Sequence, residues 1–100
     1  MKDKRFKLSV FTENMPGMLN RVSIIFTRRK INIESLNVSE SEIKGISKFK
    51  IMVNTSEEQI IKITKQLEKQ VDVLKANYYS EADMLLQDLA VSKFAEISIN

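Results

Sequence analysis

Residues 5–12, RFKLSVFT, are echoed at residues 48–55 by KFKIMVNT. An offset of 43 aligns Phe6 with Phe49, Lys7 with Lys50, Leu8 with Ile51, Val10 with Val53 and Thr12 with Thr55. Both copies alternate apolar and polar side chains, the period-two signature of a strand with one buried face. Each copy then gives way to a helical period. After the first, Met18, Leu19, Val22, Ile25 and Phe26 mark one face over residues 18–29. After the second, Ile60, Ile63, Thr64 and Leu67 do so within TSEEQIIKITKQLEK, and Thr55 with Glu58 or Ser56 with Gln59 supplies a capping box. Each helix leads into a second extended run, INIESLNVS at 31–39 and VDVLKANYY at 71–79, whose INI and VDV align at an offset of 40. The order is βαββαβ.

Two similar βαβ units describe a ferredoxin-like α+β domain, a four-stranded antiparallel sheet with two helices on one face. Right-handed crossovers place the first and third strands at the centre and the second and fourth at the edges. The turn SEIKG at 41–45 puts Gly45 where a positive φ is needed. The domain is assigned to residues 1–80. Residues 81–100 form a C-terminal extension with both helical and strand-like stretches, and no linker composition sets it apart.

Alternation assigns faces. Phe6, Leu8, Val10, Phe49, Ile51 and Val53 belong under the helices, joined by Ile31, Ile33, Val71 and Val73. The opposite face is expected to carry Phe11, Leu36, Val38, Met52, Leu74, Ala76 and Tyr78, with Lys7 and Lys50 between them. Such a face is too apolar to be left in water. The second strand has no proline and little charge to guard its edge, so pairing with another copy is expected.

Composition removes whole classes of chemistry. The chain has no Cys and no His. Disulfides, thiolate nucleophiles, Cys/His zinc sites and the commonest general base are therefore excluded. Its two glycines cannot build a Walker loop or a dinucleotide fingerprint. The adjacent pair Glu57–Glu58 falls in a first helical turn, where it opposes the macrodipole. Arg28, Arg29 and Lys30 fall at a helix end, where they either complement exposed carbonyls or meet an anion. No run of 18 apolar residues exists to span a membrane, and no apolar h-region follows the basic N-terminus. The expected location is the cytoplasm.

Backbone punctuation concentrates in ENMPGMLNRV, residues 13–22, which holds the one proline and one of the two glycines. Proline suits a helix start. Gly17 lets the chain bend and lets a ligand come close. Unpaired N–H groups at a helix start make an anion site without any charged side chain. Asn14 is placed to cap the turn or to offer its amide to a ligand. A plain strand-to-helix turn would use the same residues, so both readings stand at this point.

NMPGMLNRV within a βαββαβ chain resembles the ACT domain, whose loop after the first strand carries an Asn/Asp-x-x-Gly-x-Leu pattern, matched by Asn14, Gly17 and Leu19. LNRVSIIFTRRKINIESLNVS, followed by ITKQLEKQVDVLKA, is similar to the small, regulatory subunit of acetolactate synthase, with Arg29 and Asn32 to Leu36 in its R-x-x-N-I-E-S-L motif. The resemblance covers about residues 5–94. It implies a chain without an active site or cofactor of its own. Such a subunit binds a large catalytic subunit that carries thiamine diphosphate, Mg²⁺ and FAD, raises its activity and confers feedback inhibition by valine. It also implies a homodimer. In that dimer Asn14, Met15, Pro16, Gly17, Met18 and Leu19 of one chain, with Asn32 and Ile33 of the other, hold valine.

Other uses of the fold fit less well. An RNA-recognition module needs aromatic residues on its central strands. Its third-strand positions fall here on Ile46, Lys48 and Ile51. An acylphosphatase-like hydrolase lacks its anion-holding arginine loop. Neither nucleic acid nor membrane is expected as a partner. An ACT regulator sensing a different amino acid is the main alternative.

Overall fold

The computed structural model describes residues 3–83. The elements run β1 (Lys4–Glu13), α1 (Met18–Arg28), β2 (Ile33–Glu40), β3 (Ile46–Thr55), α2 (Glu57–Glu68) and β4 (Val73–Ser80). They form one antiparallel sheet in the order β2-β3-β1-β4. The expected architecture is present, with the two echoed strands as the central pair. The echoed residues pair crosswise: Phe6 lies opposite Val53, Leu8 opposite Ile51 and Val10 opposite Phe49.

These six side chains are at most 2% exposed and meet the helices in one core. From α1 come Met18, Val22, Ile25 and Phe26, and from α2 come Ile60, Ile63 and Leu67. Burying each large one fully stabilises the fold by about 1.5–3 kcal/mol. Of the two possible caps on α2, Ser56 is the one used: its side chain accepts the Gln59 N–H at 3.2 Å. Glu58 and Lys62 pair at 3.1 Å. Both are more than half exposed, so the pair contributes little.

The edge strands depart from simple alternation. β2 shifts register between Ile33 and Ser35, so Glu34 is an extra residue. β4 shifts opposite Phe11 and Thr12, making Leu74 extra. A one-residue slip moves every later side chain to the other face. Leu36 and Val38 therefore lie beside Ile51 and Phe49, on the helix-covered face, and Leu36 packs against the core. Ala76 is buried on that face, and Tyr78 meets Phe6 edge-on with ring centroids 6.0 Å apart. The expected placement of Leu36, Val38, Ala76 and Tyr78 on the open face is corrected accordingly. Val71 is corrected too: it sits in the turn before β4, 91% exposed, while Val73 enters the core.

The open face instead presents Lys7, Ser9 and Phe11 on β1, and Lys48, Lys50 and Met52 on β3. Ser35, Asn37 and Ser39 on β2, with Lys75, Asn77 and Tyr79 on β4, complete it. It is polar and basic rather than apolar.

Beyond β4, residues 81–83 begin a helical turn. The Ser80 N–H and hydroxyl both donate to the Asp83 carboxylate, at 3.2 and 2.9 Å, and the Asp83 N–H donates to the Ser80 hydroxyl at 3.2 Å. This is a reciprocal capping box. The rest of the extension assigned to 81–100 lies outside the described residues. Among the described residues, no helix is long and apolar enough to cross a membrane.

Candidate ligand-binding site at the start of the first helix

The β1–α1 loop is held by its neighbours rather than by its own side chains. The Glu13 N–H donates to the Asp72 carbonyl, and the Asn14 N–H to the Gly45 carbonyl, each at 2.9 Å. The first bond ties the loop to the turn after α2, and the second to the β2–β3 turn. Arg21 adds a brace across the chain, its guanidinium 2.6 Å from the Asp72 carboxylate. Periodicity marks Arg21 only as a polar position on α1. Its partner 51 residues away becomes foreseeable once the topology puts both turns at one end of the sheet.

Gly17 is the N-cap of α1, with φ 80° and no side-chain cap bond. That left-handed backbone favours glycine. Pro16 therefore stands one place before the cap and not in the first helical turn, and Asn14 caps nothing. The Met18 N–H donates to the Met15 carbonyl at 3.3 Å, and the Arg21 N–H to the Gly17 carbonyl at 3.0 Å. Among the described residues, the N–H groups of Gly17, Leu19 and Asn20 have no acceptor. A Cβ built on Gly17 would meet nothing within 4 Å. Three free donors at a helix start thus border open space, the electrostatic setting of a carboxylate site.

The side chains divide. Met18 is 4% exposed and anchors α1 in the core, whereas Leu19 is 51% and Met15 47% exposed. Asn14, Pro16 and Gly17 are exposed as well. Asn32 is exposed just before β2, and Ile33 is half-buried at its first position.

A single chain does not bring all eight residues together. The loop follows Glu13, which pairs with Ile46 at one end of the sheet; Ile33 pairs with Val53 at the other. Seven residues of β3 separate these ends, roughly 23 Å at about 3.3 Å per residue.

The approach to Asn32 is also braced. α1 ends at Arg28, and Lys30 takes a positive φ of 57° before the chain enters β2. The Arg29 Nε donates to the Gln66 side-chain oxygen at 2.7 Å, and its guanidinium reaches Gln59 at 3.5 Å. Arg29 is thus the cross-tie between α1 and α2 and faces no anion among the described residues. Replacing Arg29 with Ala should cost about 1–2 kcal/mol, since a charged hydrogen bond is lost. In a domain of this size the melting midpoint should fall by about 4–8 °C per kcal/mol in a thermal scan. An unchanged midpoint would deny the tie its role.

Residues 8–75 match the AHAS small subunit-like ACT domain family. The chain belongs to that family. The acetolactate synthase small subunit of Mycobacterium avium is 39% identical over 93% of this chain and 56% of its own length. That of Bacillus subtilis is 38% identical over 80% of this chain and 47% of its own. The chain spans about half the length of the curated relatives it matches. The crystal structure of the Thermotoga maritima acetolactate synthase small subunit superposes with a TM-score of 0.70 at 37% identity, over 75% of this chain and 47% of that one. The ACT domain of a Chlorobium tepidum GTP pyrophosphokinase, at 17% identity and a TM-score of 0.66, shares the fold.

Proposed function

We propose that this chain is the non-catalytic regulatory subunit of acetolactate synthase. On this reading it docks on the thiamine-diphosphate-, Mg²⁺- and FAD-dependent large subunit, raises its activity and confers inhibition by valine. Residues 1–80 are the regulatory ACT domain and residues 81–100 its extension. The observation that carries the reading is the family match across residues 8–75, which includes the loop with three unpartnered N–H groups around Gly17.

The site is formed by two copies. The valine carboxylate accepts N–H bonds at the start of α1. Its ammonium group is met by the side-chain oxygens of Asn14 and of Asn32 from a second copy. Its isopropyl group rests between Leu19 and the second copy's Ile33, with Met15 and Pro16 as a rim. Met18 shapes the pocket through its core anchor. Because both copies contribute, ligand binding and dimer geometry are thermodynamically linked.

The test mixes this chain with an acetolactate synthase large subunit and follows pyruvate condensation with and without valine, leucine or isoleucine. Calorimetric titration of the chain alone with each amino acid runs beside it. Stimulated turnover that valine suppresses, with valine binding the isolated chain, is the expected result. No association, with a different amino acid bound, would replace it with an ACT regulator of another pathway.

A further inference from the structure

The two bulges that carry Leu36, Val38, Ala76 and Tyr78 to the covered side leave the middle of the open face to lysines and short polar groups, with Glu34 beside Arg5 and with Glu40 and Glu42 at the rim near Phe11 and Lys48. Four lysines occupy it: Lys7 on β1, Lys48 and Lys50 on β3 and Lys75 on β4. Lys48 and Lys75 flank Phe11, and the Lys48 ammonium lies 5.4 Å from the Phe11 ring centroid. Lys50 stands beside Ser9, and Lys7 beside Met52 and Tyr79. The other basic group of this side, Arg5, is already paired with Glu34 at 3.0 Å. Sixteen basic and thirteen acidic residues give the chain +3. Without these four lysines, twelve face thirteen, a charge of −1. These four lysines are a quarter of the chain's basic residues.

We infer that this lysine-bearing face is the surface that docks an acidic, carboxylate-rich protein partner. The inference rests on the regulatory reading, under which that partner is the catalytic chain. A second copy is excluded as the occupant, since two such faces would bring eight lysines together. The two-fold contact is left to the β2 edge, so one chain can hold its twin and its partner at once. A single-stranded nucleic acid needs aromatic platforms on neighbouring central strands. Here the Phe11 ring lies under an ammonium group, and Tyr79 lies opposite Lys7, four residues away along β1. Between the lysines, Ser35, Asn37 and Asn77 are short polar groups that hydrogen-bond a flat protein surface without clashing.

The experiment uses the full chain with Lys7, Lys48, Lys50 and Lys75 all changed to Glu, and a second variant with all four changed to Gln. Association with the acetolactate synthase large subunit is followed by biolayer interferometry at 50 and 300 mM salt, with valine titrated into each variant alone. Charges at an interface act chiefly on encounter rate and salt dependence. The Glu variant is expected to associate about 100-fold more weakly and the Gln variant about 10-fold, with valine binding unchanged. Wild-type affinity should also fall steeply with salt. If both variants associate as tightly as wild type, the docking face is wrong and the regulatory reading stands. If the wild-type chain fails to associate at all, both are lost. Tighter binding of a 20-nucleotide single strand than of the large subunit, abolished by the Glu changes, would replace the protein partner with a phosphate backbone.

Discussion

A Gly17→Asp chain is expected to stimulate the large subunit as well as wild type does, while binding valine about 100- to 1,000-fold more weakly. The backbone at Gly17 has φ 80°, which Asp and Asn tolerate better than other L-residues. A Cβ there meets nothing within 4 Å, so the new side chain costs no packing. It does place a carboxylate beside the free N–H groups of Leu19 and Asn20. It would satisfy those donors and repel an incoming carboxylate. Two like charges about 4 Å apart near a protein surface oppose each other by up to about 4 kcal/mol, and salt reduces that figure. Gly17→Asn is the control, with the same shape and backbone preference but no charge. It should retain valine binding within about tenfold, since an amide keeps most of the electrostatic balance. Valine titration of both proteins, with thermal midpoints to confirm folding, decides the matter. If Asp and Asn weaken valine equally, or neither does, the ligand carboxylate does not sit at the start of α1.

The parts of the fold legible in the sequence were those set by repetition and by buried alternation. RFKLSVFT and KFKIMVNT announced the central strands, and the Ile60, Ile63, Thr64, Leu67 stripe announced α2; each repeats one local period, and burial enforces it. The edge strands depart from simple alternation for a definite reason. A bulge changes neither composition nor hydrophobicity, yet the extra residues Glu34 and Leu74 reverse the facing of everything after them. Sheet pairing alone reveals them. The consequence was an open face expected to be apolar and found to be basic. Ser80 and Asp83 show the opposite case. S-E-A-D is a start signal of the S/T-x-x-E type, with Asp in place of Glu, and it was readable in the sequence, but the ambiguous run behind it obscured it. For the candidate site, the loop was legible because Gly17 and Pro16 have few uses in a chain so short of both. The sorting of Met18 into the core and Leu19 onto the surface was not, because both positions fit the apolar stripe of α1. That sorting depends on how α1 rolls against α2 and the sheet.

Asn32 lies at the opposite end of the sheet from the Gly17 loop, so two different defects should complement each other when mixed. On the proposed two-copy reading each ligand site takes the loop of one chain and Asn32 of the other. Gly17→Asp damages the site a chain builds with its own loop, and Asn32→Ala damages the site to which that chain lends its second strand. Each variant alone has both sites of its dimer damaged. A heterodimer of the two concentrates both defects in one site and leaves the other with a wild-type loop and a wild-type Asn32. Equal mixing with free exchange makes about half the dimers heterodimers, so about one quarter of the wild-type valine sites should return at wild-type affinity. Calorimetry reads this directly, because the stoichiometry rises from near zero while the affinity of the recovered class matches the parent. Denaturing and refolding the two chains together ensures exchange, and refolding each alone is the reference. A site built within one chain forbids recovery at any mixing ratio, since no chain in the mixture then carries both halves intact. Recovery of the full wild-type stoichiometry would be equally damaging, because a reciprocal two-fold site cannot exceed one intact copy per heterodimer.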